Sequence, residues 1–134
     1  MKFLTNINDE KYTEFIKNHK HGNMMQSIEW SHIKNTWGAV RVGVQDQNNN
    51  IIAAVQILTR QGLWYAPRGP ILDYTNTELL NFFLTNLKKF AKDKGAKMVK
   101  LDIPTAVKDE KLAVFKDIEV DRENNSLIKV FKEN

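Results

Sequence analysis

Cysteine is absent from this 134-residue chain. That excludes a disulfide framework, a thiolate zinc site and a cysteine nucleophile, and it fits a reducing compartment. Long apolar runs are also missing. The longest are Ile51–Val55 and Leu79–Leu80 with Phe82–Leu84, far short of the ~18 residues that a membrane span needs. The first residues are interrupted by Asn6 and Asn8, so they do not read as a signal peptide. The expectation is a soluble, intracellular chain. No phosphate-loop, dinucleotide, zinc-protease or serine-hydrolase motif is present. The three histidines are His19, His21 and His32. None shows metal-ligand spacing with a carboxylate, so no metal is expected, and His19 and His21 are expected to be solvated loop residues.

What is present is an ordinary globular composition, with 42% hydrophobic and 27% charged residues and a formal net charge of +4. This length supports one domain with a substantial core. The mild positive balance favours a phosphate-bearing partner without demanding one.

Residues 2–5 read as a short strand. Asn8 or Asp9 reads as the N-cap of a helix to about His19, because Tyr12, Phe15 and Ile16 share one face. Ser27 reads as the cap of a short helix carrying Trp30, Ile33 and Lys34. Strands are expected over 39–46 and 51–59, joined by an asparagine-rich turn, and over 63–66. Pro67-Arg68-Gly69-Pro70 breaks regular structure. A long helix is expected over 76–94, with Leu79, Leu80, Phe83, Leu87, Phe90 and Ala91 on its apolar face and Gly95 at its C-cap. A strand over 97–102, a helix over 108–117 and a strand over 127–131 complete the chain. The order implies a mixed α/β fold with antiparallel pairs and one crossover.

Trp30 and Trp64 are expected in the core, and Trp37 partly exposed. The lysines Lys88, Lys89, Lys92, Lys94, Lys97 and Lys100 read more readily as a solvated face than as a phosphate-binding stripe. The segment from Trp64 to Tyr74 is harder to explain by packing. Its prolines and glycine fix an irregular loop at a strand end, and the loop carries Arg68, Asp73 and two tyrosines.

Three blocks carry a family resemblance. Met25–Trp37 looks like a Q-S-x-x-W-x-x-x-K segment closed by tryptophan. Tyr65–Tyr74 looks like Y-x-P-R-G-P-v-x-D-y. Lys100–Pro104 is similar to a strand ending in D-P, with Ile103 inserted between Asp102 and Pro104. Over about residues 8–105 the chain resembles the FemABX peptidyltransferases, which build the interpeptide bridge of peptidoglycan.

The resemblance implies a GNAT-like domain, with a mainly antiparallel mixed sheet flanked by helices. It implies the first of two such domains, with the second absent from this sequence. It implies an acceptor, a UDP-linked or lipid-linked muramyl peptide, that receives an amino acid from aminoacyl-tRNA without further cofactor. Lys34 then matches a lysine near the acceptor's phosphates. Arg68 sits where it can give bidentate recognition of an anion, the alternative being an ion pair with Asp73. Asp102 matches a carboxylate that takes the proton of the attacking amine. Trp37, Tyr65 and Asp73 lie in the same blocks and are expected to line the acceptor site.

Two other functions compete with this one. A free-standing acetyl-CoA N-acetyltransferase needs a cradle of backbone N–H groups that neither Arg60–Gly62 nor Arg68–Pro70 supplies. An RNA-binding module needs exposed aromatics among the lysines. A domain lacking its partner would expose apolar surface, so a weak homodimer is also expected.

Overall fold

The computed structural model describes residues 1–104, 119–120 and 127–132. Strand β1 (Lys2–Leu4) is followed by helix α1 (Asp9–Asn18), a 3₁₀ turn (Met24–Gln26) and helix α2 (Ile28–Ile33). Then come β2 (Gly38–Gln45), β3 (Ile51–Arg60), β4 (Leu63–Pro67), β5 (Ile71–Leu72) and α3 (Thr77–Asp93). Strands β6 (Met98–Asp102), β7 (Glu119–Val120) and β8 (Leu127–Lys132) complete the described chain.

The helix boundaries have local causes. Asn8 Oδ1 accepts from the N–H groups of Glu10 and Lys11, and Ser27 Oγ accepts from Trp30 N. Asn76 Oδ1 accepts from Leu79 N. Each satisfies donors that a helix start leaves unpaired. At the end of α3, Gly95 adopts φ +84°, its N–H reaches Lys92 O, and Ala96 N reaches Ala91 O. Those paired bonds close the helix in the manner that favours glycine there.

The sheet order is β1-β2-β3-β4-β6-β8-β7, with β5 paired to β3 off that path. All neighbouring pairs are antiparallel except β4–β6, which is parallel and runs in register from Leu63↔Met98 to Pro67↔Asp102. The crossover through α3 makes that pair parallel. This is the expected mixed α/β architecture.

One sheet face packs on α3 through Val42, Val55, Ile57, Ala66, Val99 and Leu101, against Leu79, Phe83 and Leu87. Phe83 is fully buried, which contributes about 1.5–3 kcal/mol. Trp64 is buried in this core, edge-on to Phe90, as expected. Trp30 is only half-buried, because α2 is a short helix that lies over the sheet's other face rather than inside it.

Three short elements carry no signal in the local sequence pattern. Strand β5 is two residues long, β7 likewise, and the 3₁₀ turn is three. The helix expected over 108–117 lies outside the described residues.

Candidate functional site

The β4–β6 pair ends where Pro67 meets Asp102. Here the chain leaves β4 through Arg68, Gly69 and Pro70 before β5 rejoins β3 at Ala54↔Ile71. Arg68 sits at φ +56°, a left-handed conformation uncommon for a residue with a side chain.

The loop keeps this shape because its carbonyls are held individually. Gln26 Nε2 donates to Pro67 O at 2.8 Å, Asn23 Nδ2 to Arg68 O at 3.0 Å, and Tyr74 OH to Pro70 O at 2.5 Å. A Cβ on Gly69 would lie 2.7 Å from the Gln26 amide carbon and nitrogen. Only glycine lets the loop lie on that amide.

Gln26 is the centre of the arrangement and is fully buried. Strands β3 and β4 pair from Arg60↔Leu63 to Leu58↔Tyr65 and then part. Two positions further in that register, past Ile57 and Ala66, Gln56 would face Pro67, and the Gln26 side chain stands between them. Its Nε2 also donates to Gln56 O at 3.1 Å, and its Oε1 accepts from Gln56 N at 2.8 Å. One side-chain amide thereby replaces the missing rung of the ladder. Tyr12 completes the cluster, its hydroxyl donating to Gln26 O at 2.6 Å. Burial pushes the Tyr12 phenol far above its ordinary value, with the Arg41 charge opposing. It therefore remains a neutral donor. Sequence reasoning placed Gln26 in a motif block without giving it a role. Its signal is the combination of Gln26 with a glycine between two prolines, and no local periodicity reveals it.

The expected site residues fall into two groups. Tyr65 and Asp102 share the sheet face opposite α3, because residues two apart along a strand point the same way. Both are half-buried. Burial raises the Tyr65 phenol, and the Asp102 charge raises it further. Arg68 and Asp73 are exposed at either end of the loop and β5, and they form no ion pair with each other. Asp73 Oδ1 accepts instead from Thr75 N and Thr75 Oγ1, which holds the Asp73 carboxyl below its ordinary value.

Lys34 and Trp37 belong to the α2 end. The exposed Lys34 places its ammonium 5.3 Å from the Trp30 ring centroid. The Trp30 Nε1 is buried and meets no acceptor. Trp37 is half-buried, with the Arg60 guanidinium 5.6 Å from its ring centroid. It therefore lies at the β3–β4 turn, about 13 Å along β4 from Pro67 at the usual strand rise.

The loop histidines correct the expectation of solvated side chains. Both are half-buried, with ring centroids 5.5 Å apart, and His21 stands edge-on to Tyr74. His19 Nδ1 accepts from His21 N at 3.0 Å. Tyr74, tied to Pro70, draws the loop against the site. Among the described residues, no group of three or more histidine, aspartate or glutamate side chains is placed to hold a metal ion. None of the described helices is long and apolar enough to cross a membrane.

Residues 7–134 match the model of the FemAB family. The UDP-N-acetylmuramoylpentapeptide-lysine N(6)-alanyltransferase of Weissella viridescens is 33% identical over 116 residues, covering 80% of this chain and 34% of that protein. The lipid II:glycine glycyltransferase of Staphylococcus aureus (strain bovine RF122 / ET3-1) is 29% identical over 129 residues, covering 90% of this chain and 27% of that protein. This chain thus spans about a third or less of the length of these relatives.

The crystal structure of FemX superposes with a TM-score of 0.76 at 26% identity, covering 90% of this chain and 32% of that one. The PaiA N-acetyltransferase of Thermoplasma acidophilum superposes with a TM-score of 0.61 at 11% identity, covering all of both chains. That likeness shows the GNAT-type fold alone. By its matched residues, its fold and its relatives, the chain belongs to the FemAB family.

Proposed function

We propose that this chain is the acceptor-binding domain of a FemAB-type aminoacyltransferase and takes a muramyl peptide, UDP-linked or lipid-linked. The observation that carries the reading is the clamped loop. Three side chains fix the backbone from Pro67 to Pro70 and leave Arg68 exposed, one residue past the Pro67↔Asp102 pair that ends the parallel ladder. A rigid mount of this kind suits bidentate anion recognition, because little freedom is lost on binding.

Lys34 supplies a second, point-like charge for a diphosphate. Trp37, Tyr65 and Asp73 line the acceptor's path. In the reaction, the acceptor amine attacks the ester carbonyl of the aminoacyl donor. A C–N bond forms, the ester C–O bond breaks, and the proton that the amine gives to the Asp102 carboxylate passes on to the leaving ribose oxygen, which departs as the tRNA hydroxyl.

The donor, an aminoacyl-tRNA, would be held by a second GNAT-like domain of the kind the longer relatives have room for, so this chain by itself is expected to be inactive. The reaction would take place in the cytoplasm. An acetyl-CoA reading is not favoured. The start of α3 is already capped by Asn76 and carries Glu78 in its first turn, which disfavours a phosphate there.

The test is an NMR titration with UDP-N-acetylmuramyl-pentapeptide, beside Lys34→Ala and Arg68→Ala. Saturable shifts around both residues, lost in the variants, are expected. The absence of shifts at millimolar ligand would overturn the reading for this chain.

A further inference from the structure

The large apolar side chains that stand exposed among the described residues are Met1, Met24, Met25 and Ile33. Three of them fall on the 3₁₀ turn and the end of α2. Met24 and Ile33 are each 66% exposed. Single exposed apolar residues are ordinary, but two adjacent methionines on a turn present a flexible, polarisable knob.

Basic side chains surround this knob. Met24 and Lys17 line one open groove of about 340 Å³ between α1 and the 3₁₀ turn. Asn23, just before Met24, is bonded to the backbone of Arg68. Lys20 stands in the adjoining loop, and Lys34 follows Ile33. The carboxylates nearby are Glu14, one turn before Lys17 on α1, Glu29, on the groove, and Asp73, which is engaged by Thr75. Apolar side chains ringed by lysine and arginine have the composition of an element that lies in a lipid headgroup layer.

We propose that Met24, Met25 and Ile33 seat this chain on an anionic lipid surface, with Lys17, Lys20, Lys34 and Arg68 at the level of the headgroup phosphates. Seated this way, Lys34 and Arg68 face the membrane plane, where a lipid-linked acceptor would present its own phosphates. The inference rests on the acceptor-binding reading for that choice of acceptor, but the docking itself needs no acceptor.

The test is co-sedimentation of the 134-residue chain with vesicles of phosphatidylglycerol and phosphatidylcholine in equal parts, and with phosphatidylcholine vesicles, without muramyl peptide. Binding to the anionic vesicles with a blue shift of tryptophan fluorescence is expected. Met24→Ser with Met25→Ser, changes at exposed positions, should weaken it about tenfold. Lys17→Gln with Lys20→Gln should also weaken it about tenfold. Lys89→Gln with Lys97→Gln, on the α3 side, should leave it near the unmodified value.

Three results would overturn the proposal. One is no binding to anionic vesicles. Another is an equal loss from the α3-side lysines, which marks attraction to net charge alone. The third is self-association that the methionine variant abolishes, without vesicle binding. Vesicle binding beside a failed muramyl-pentapeptide titration would keep the docking and reject the acceptor reading. The reverse pair of results would do the opposite.

Discussion

On the α3 side of the sheet, aliphatic and aromatic side chains interdigitate with hardly a polar atom among them. On the side facing α1, the 3₁₀ turn and α2, the apolar cluster is small, and a buried network of Gln26, Gln56, Tyr12 and Arg41 takes over. The first face is held by area removed from water and tolerates adjustment. The second is held by directed bonds that fix particular atoms, and an unmade bond there leaves a buried polar group with its full desolvation cost. The molecule therefore carries stability on one face and the geometry of the candidate site on the other.

The largest effect should come from Phe83→Ala. A loss of about 4 kcal/mol in denaturant unfolding is expected, with the amide shifts of Arg68 and Gly69 almost unmoved in the remaining folded protein. Gln26→Ala should lose less, about 3 kcal/mol, because water relieves part of the unpaired Gln56 and Pro67 groups. It should nevertheless displace the amide shifts of Arg68 and Gly69 and weaken the acceptor titration. If the two variants disturbed that loop equally, the contrast between the faces would fail.

Gly69→Ala presses a methyl group into the Gln26 amide and should cost about 1–2 kcal/mol in thermal unfolding. Its loop shifts should match those of Gln26→Ala, because the same contact is broken from the other side.

The smallest effect concerns pH. Both loop histidines are held below the ordinary imidazole value, chiefly by burial. His21 and Lys20 add to this for His19, and Lys20 for His21, with Asp73 opposing in both cases. The folded chain therefore binds fewer protons than the unfolded chain between those lowered values and about 6.5. The stabilisation is complete above that window and is lost as pH falls through it. Hydrogen exchange of residues 19–23 should be better protected at neutral pH than at about pH 5, and His19→Gln with His21→Gln should flatten the difference.

The first face was legible in the sequence. The period of Leu79, Leu80, Phe83 and Leu87 gave α3, and Asn76 and Gly95 marked its ends to within a residue. The alternation of Val40, Val42 and Val44 gave β2 and its hairpin with β3. The second face was not legible, because its bonds join residues far apart in the chain. Gln26 meets Gln56 and Pro67, Asn23 meets Arg68, and β5 exists because β4 has left β3 free beyond Gln56. The histidine loop misled for the same reason. Its polarity signals solvent, and only Tyr74 shows that it folds back. The candidate residues of the loop stood out through their two prolines and glycine, whereas the side chains that mount the loop did not.

Arg68 carries a consequence for selection. A side chain held at positive φ costs about 1 kcal/mol that glycine would not. A screen for thermal stability alone should therefore accept Arg68→Gly readily, while a screen for acceptor binding should reject it. Opposite outcomes of the two screens at one exposed position would identify it as a place where the fold tolerates a residue for what it does rather than for how it packs.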